Sequence, residues 1–223
     1  MKKVVLGILG IAAVGAIGAA LFPSATSAQA SNKPAVYITA EDIAAVHKTA
    51  GVDRTVRVVD IGPEHFSLGT IHRGKTGAPP AGAAPAAAGG AARGATPPAA
   101  PCGERSTAPP AAGAPSGLYH ESQTEGYLIT SGAGTMVTGG HIVNGRKSAA
   151  DAEVTTTLNG PSCSGVMAGT DVVFKDVKAG DVVIIPQGVP HGWSNIPDHV
   201  DYLSFRPSGQ TLTAGYVHPS IKK

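Results

Sequence analysis

The chain has 223 residues, with 17 Lys and Arg against 15 Asp and Glu, and only 14% of it is charged. A chain of that length holds one domain or two small ones. No basic stripe or patch is present, which excludes the usual footprint of a nucleic-acid partner, and past residue 30 no apolar stretch is long enough to cross a bilayer.

Residues 1–30 read as a secretory signal peptide and not as part of the fold. Lys2 and Lys3 form a positive start, Val4 to Phe22 an apolar run, and Ala28-Gln29-Ala30 a small-x-small cleavage site before Ser31. The alternative is an uncleaved membrane anchor, and interspersed glycines and alanines make the run a weak one. No cysteine adjoins the cleavage site, so a lipid-modified N-terminus is not expected. Losing Lys2 and Lys3 takes the 17 basic residues to 15, equal to the 15 acidic ones. The expectation is a periplasmic or secreted protein with no membrane contact after cleavage. Its two cysteines, Cys102 and Cys163, both fall in turn-rich sequence. An oxidising compartment permits them to pair, and two unrelated thiols fit the sequence as well. Metal ligation by them is disfavoured, since no Cys-x-x-Cys spacing exists.

After the leader, Tyr37 to Gly51 reads as one short helix, with Thr39 as cap and Asp42 at the capping-box position. Its sparse apolar stripe places it on the outside of a sheet. Arg54 to Ile61 and His65 to His72 read as two strands broken by Gly62-Pro63. From 76 to 116 the composition falls to Ala, Pro and Gly, too poor in large apolar residues to offset ordering entropy. This stretch is expected to be a disordered insertion within one domain, residues 31–220, because residues 35 to 75 are too few for a core of their own. Strands are then expected over Leu118–Thr130, Gly134–Thr138, Val154–Leu158, Asp171–Val177, Asp181–Ile185, His191–Ile196 and Val200–Arg206. Short strands with regular turn signals indicate an all-β sandwich or barrel.

Two stretches carry the chemistry. The first runs Leu118-Tyr119-His120, four residues, Glu125, six residues, Gly132. The second runs Gly180, five residues, Pro186-Gln187-Gly188, two residues, His191, three residues, Asn195. In the second, Gly180 suits a tight turn, Asp181 to Ile185 a buried strand, and Pro186 and Gly188 a corner from which the chain returns carrying His191. Together they resemble the two signature motifs of the cupin superfamily. The second matches at every fixed position, whereas in the first Leu118 stands where the family has a histidine. The resemblance implies a cupin-type double-stranded β-helix, or jelly-roll barrel, with the short helix at its N-terminal side.

The resemblance also implies a metal site at His120, Glu125 and His191, for a divalent ion such as iron, manganese, zinc or nickel. Two neutral imidazoles and a carboxylate can hold such an ion and leave positions open. His72 is a candidate fourth ligand, although a histidine before Arg73-Gly74 more often sits at a rim. Tyr127 is read as pocket wall, Trp193 as a core or rim aromatic, Asn195 as a strand-end hydrogen-bonding group, and Arg206 as the partner of an acidic neighbour or of a ligand carboxylate. His47, His65, His141, His199 and His218 are scattered and expected at the surface. Ser122 and Ser131 lack a nucleophile-elbow context.

Two function classes remain open. One is a metal-dependent oxygenase or isomerase of a small organic substrate. The other is a non-catalytic barrel that binds a small ligand in a metal-free or weakly metallated pocket. The expected partner in either is a small molecule, with a homodimer as the expected assembly. The mature chain is expected to start at Ser31, so the intact mass of exported protein should lack residues 1–30. A full-length mass in the membrane fraction would favour the anchor.

Overall fold

The computed structural model describes residues 34–77 and 99–222. The expected signal peptide and residues 78–98 of the insertion lie outside the described residues. The description below concerns the unit that runs from Lys33 onward.

Helix α1 covers Ala40–His47. The capping box is present, with Asp42 N–H donating to Thr39 Oγ1 at 3.2 Å and Thr39 N–H to Asp42 Oδ2 at 3.3 Å. The helix is shorter than expected because its last carbonyls are taken by side chains. Thr49 Oγ1 donates to Val46 O, and Arg54 Nη1 donates to the carbonyls of His47 and Thr49. Its one buried residue, Val46, packs with Val56, Leu68 and Ile221, so the helix lies on the outer face of a sheet as its apolar stripe implied.

The strands are β1 Asp53–Asp60, β2 His65–Gly74, β3 Pro101–Cys102, β4 Ser116–His120, β5 Glu125–Thr138, β6 His141–Lys147, β7 Ser162–Ala168, β8 Val173–Lys178, β9 Val182–Ile185, β10 His191–Asn195 and β11 His199–Pro207. All pair antiparallel in one sheet of order β1-β2-β11-β5-β10-β4-β7-β6-β3, with β8 and β9 also on β5. The 14-residue β5 makes this possible. Its first half pairs with β11 and β9, its second half with β10 and β8. The switch falls at Gly132, where φ is +68° and a Cβ would lie 2.0 Å from His199 O, so only glycine fits. The two halves fold the sheet over one core that includes Ile71, Tyr127, Ile129, Met136, Ile185 and Tyr202. This is the expected all-β jelly-roll barrel.

Several local readings need correction. Leu118–Thr130 is not one strand, since β4 ends at His120 and β5 starts at Glu125, and β5 runs on through the expected separate strand Gly134–Thr138. Val154–Leu158 is not a strand: Thr155–Asn159 forms a π-helical turn. Its threonines looked like strand formers, but the hydroxyls of Thr156 and Thr157 donate back to Glu153 O at 3.1 and 2.8 Å. Ser162–Ala168, which reads as a turn-rich loop, is strand β7, paired on one side with β4 and on the other with β6. Ladder bonds on both edges hold it extended despite its composition, and a Cβ on Gly165 would meet Gly145 Cα at 2.8 Å. Strand β6 was likewise not anticipated.

Residues 99–116, counted with the insertion on compositional grounds, are tied down. Strand β3 pairs with β6, Glu104 N–H donates to Ile142 O, and Asn144 N–H donates to Glu104 O. Cys102 and Cys163 form a disulfide across a separation of 61 residues, which resolves the two alternatives left by the sequence. Closing a loop of that size stabilises by on the order of 4 kcal/mol. Reduction, or the paired change Cys102→Ala and Cys163→Ala, should lower Tm by about 10 °C. An unchanged melting curve would show that the cross-link constrains little.

Candidate functional site

Strand β4 ends at His120, β5 begins at Glu125, and β10 begins at His191. The corner before β10 is built as expected, with Gly188 at φ +78° and its N–H donating to His120 O at 3.0 Å. That bond ties the two histidine-bearing segments together. His120, Glu125 and His191 are all buried, and their donor atoms lie within 4.8 Å of one another. His191 Nε2 is 2.8 Å and His120 Nε2 3.3 Å from the same oxygen, Glu125 Oε2. The sequence-predicted triad therefore converges.

The outer nitrogen of each ring is already engaged. His191 Nδ1 is 3.0 Å from Val189 O, a carbonyl that can only accept, so Nδ1 carries the hydrogen. His120 Nδ1 is 2.9 Å from Ser162 Oγ, whose own hydrogen goes to Gly160 O at 2.9 Å, so here too the ring donates. Neutral rings held this way turn bare Nε2 lone pairs on a carboxylate oxygen. Such an arrangement is stable only with a cation, a proton or a metal ion, among the three groups. Burial pushes His120 down despite the facing Glu125 carboxylate, which disfavours a proton on that ring. Two imidazole nitrogens and a carboxylate oxygen are a donor set that fits a first-row metal.

Arg206 holds the other carboxylate oxygen. Its Nη2 pairs with Glu125 Oε1, its Nη1 donates to Asn159 Oδ1, and its Nε donates to Ser204 Oγ at 2.7 Å. Burial alone would raise the Glu125 carboxyl, but the Arg206 guanidinium beside it holds it well below the usual carboxylate range. Tyr127 O–H donates to Oε2 at 2.9 Å, and burial keeps the phenol pKa well above its ordinary value, so it remains a donor. Tyr127 is thus more than pocket wall. Arg206 takes the acidic neighbour and not a free ligand carboxylate, one of the two options its sequence position offered.

Leu118 lies directly opposite His191 on the neighbouring strand and lines the same cavity as His120, so an apolar group stands beside the two histidines. The cavity, about 1200 Å³, is also walled by Trp193 and Tyr202, whose ring centroids are 5.8 Å apart. Asn195 is exposed at the strand end. His72 is not a fourth ligand: it pairs with Asp201 on the opposite face of the sheet. Sequence reading missed Ser162, Asn159 and Ser204. Ser204 and Arg206 could have been recognised by alternation with the inward Tyr202 on β11, whereas Asn159 and Ser162 sit around a turn that no periodicity announces.

No family model and no curated protein matches this sequence. Solved structures match it in shape. BH2720 from Bacillus halodurans is 10% identical with a TM-score of 0.40, covering 85% of this chain and 93% of that one. An uncharacterized conserved protein with a double-stranded β-helix domain, from Klebsiella pneumoniae, is 13% identical with a TM-score of 0.35, over 80% and 94%. Oxalate decarboxylase from Lactobacillus farciminis, in a formate complex, is 10% identical with a TM-score of 0.27, over 73% of this chain and 34% of that one. The likeness is one of fold, and the functional reading rests on this chain's own residues.

Glu125 and His120 are both held below their ordinary pKa ranges, so the unfolded chain binds more protons and stability falls as pH falls. The His120 part is lost first, below about pH 6.5, and the Glu125 part below about pH 4.3. Glu125→Gln should cost about 3–5 kcal/mol at neutral pH, because Arg206 is left buried without its anion. It should also flatten the acid limb of a Tm-versus-pH curve. A variant as stable as the parent at neutral pH would remove Glu125 as the anchor of the site.

Proposed function

We propose that this protein is an exported barrel that binds a divalent first-row metal through His120, Glu125 and His191 and holds a small organic molecule in the adjoining cavity. The observation that carries the reading is the pairing of both ring Nδ1 atoms with fixed acceptors, which leaves two Nε2 atoms aimed at one oxygen of a buried carboxylate. Iron, manganese, zinc and nickel all suit two nitrogens and one oxygen. When bound, such an ion supplies Lewis-acid polarisation or redox chemistry to whatever occupies its open positions.

The chain's own residues do the rest. Arg206 reserves Oε1, so that Oε2 alone faces the histidines, and Tyr127 fixes that oxygen with a hydrogen bond. Leu118, Trp193 and Tyr202 give the cavity an apolar wall beside the buried centre. Oxygenation or isomerisation of a small, partly apolar substrate is the reaction class such a centre suits. Two features favour the second reading, a non-catalytic ligand-binding barrel. Arg206 already neutralises Glu125 and opposes a dication, and Leu118 withholds a ligand. Export is supported by the Cys102–Cys163 bridge, since disulfides persist in oxidising compartments. A homodimer would cover Val182 and Ile184, which stand exposed on β9, and light scattering of the purified protein tests it.

Elemental analysis of tag-free protein purified without chelators tests the metal. His191→Ala should lose more than the roughly 10–100-fold in affinity that an outer partner of a metal ligand is worth. Leu118→His should tighten binding, because it puts an imidazole opposite His191. Metal content unaffected by His191→Ala overturns the proposal. A folded protein that never retains metal favours the ligand-binding reading, and a thermal-shift screen of small molecules then becomes the informative assay.

A further inference from the structure

A second group of histidines gathers on the outer face of the sheet, where the barrel chemistry makes no use of it. His72 on β2 and Ser131 on β5 are both register partners of Asp201 on β11, so the three form a row across rigid backbone. His72 Nδ1 is 2.6 Å from Asp201 Oδ1. His47, in the last turn of α1, reaches down from above the sheet. Its Nδ1 meets Thr70 Oγ1 at 2.9 Å, and its Nε2 is 3.7 Å from Asp201 Oδ2. Ser131 Oγ donates to Asp201 Oδ2 at 2.7 Å and lies 3.1 Å from His199 Nε2. The His72 ring lies between two other imidazoles, 6.0 Å from that of His47 and 6.2 Å from that of His199.

We infer that His47, His72 and Asp201 form a second divalent-metal site, which pins α1 to the outside of the barrel. The three offer donor atoms within 4.8 Å of one another. On a tetrahedral ion with bonds of roughly 2.0–2.1 Å, donor atoms stand about 3.4 Å apart. His72 Nδ1 stands 2.6 Å from Asp201 Oδ1 and His47 Nε2 3.7 Å from the other oxygen, Oδ2, so the carboxylate lies between the two rings with one oxygen toward each. Two imidazoles and a carboxylate select zinc, nickel or copper over calcium or magnesium. The side chains of His47, His72 and Asp201 are 34%, 32% and 17% exposed, open to an ion yet sheltered enough to hold it. His47 also sits at the negative end of the α1 dipole, which favours a cation there. The opposing charge is Arg54, whose Nη1 bonds the carbonyls of His47 and Thr49. Asp201, with Asp198 paired to His199 at 2.6 Å, offsets it.

The site is independent of the barrel centre, so the two are tested separately. The full chain, tag-free and stripped of metal, is titrated with zinc ions alone by equilibrium dialysis and by thermal unfolding. His191→Ala silences the barrel centre and should still bind one zinc per chain, with a zinc-dependent rise in Tm. Adding His72→Ala should weaken that binding at least about tenfold and abolish the rise. Asp201→Asn and His47→Ala, each in the same background, should do likewise, so the result does not depend on one variant's folding. Zinc binding by His191→Ala that is unchanged by all three substitutions overturns the inference, as does no zinc binding by His191→Ala. Zinc lost through His72→Ala alone but indifferent to His191→Ala sustains the outer site and removes the barrel one.

Discussion

A carboxylate with no solvent contact is the constraint around which the barrel is organised. Glu125 is fully buried, and an unpaired charge in that position would cost several kcal/mol. Every nearby polar group is arranged to prevent that. Arg206 arrives from β11 on one oxygen, while Tyr127 and the two histidines meet the other. Arg206 is itself buried, and it is satisfied by Ser204 and by Asn159 of the π-helical turn. The turn that displaced an expected strand is therefore part of the site, since it ends by presenting Asn159 to the guanidinium and the Gly160 carbonyl to Ser162. Polar networks of this kind are stable when complete and costly when one member is missing.

The same charge balance sets the chemical character of the centre. With Glu125 neutralised by Arg206, a divalent ion would face donors of little net charge, so it would be held by ring nitrogens more than by electrostatics. Leu118 removes one such nitrogen and gives the cavity an apolar wall beside the donors. The same inner surface thus combines a reduced donor set with an apolar wall.

Long β5 carries that surface from one half of the fold to the other. It starts with Glu125, turns at Gly132 and ends beside β10, which bears His191. Its outward residue Ser131 touches Asp201 of the outer histidine group, while Glu125 and Tyr127 face inward. The register shift in β5 between Ile129 and Ser131 breaks the alternation, so Ser131 reaches the outer face although Glu125 and Tyr127, of the same parity, face inward. The disulfide then anchors the end of the Ala/Pro/Gly-rich stretch to β7, next to the strand that supplies His120.

How much of this was legible depends on how local each cause is. The capping box of α1 is a contact over three residues, and Thr39 and Asp42 declare it directly. His120, Glu125 and His191 were named by the resemblance of the two stretches to the cupin motifs, and the turn glycine, strand and corner proline around His191 act on near neighbours. The jelly roll follows from the same strand and turn signals. Strand β7 was illegible, since partners on both sides, not its own Ser, Cys and Gly residues, hold it extended. Glu125 and Arg206 meet across the β5–β11 register, and nothing in either residue's local sequence names the other. His47 and His199 looked scattered, and His72 looked like a rim residue or a fourth ligand, for the same reason: the three are far apart in the chain and meet only where α1, β2 and β11 pack. By itself the sequence determined the strand-forming pattern and the three inward donors, because both are written in spacings of a few residues. Only the tertiary structure decided which charges pair and which histidines meet, because those contacts depend on strand register between segments distant in the chain.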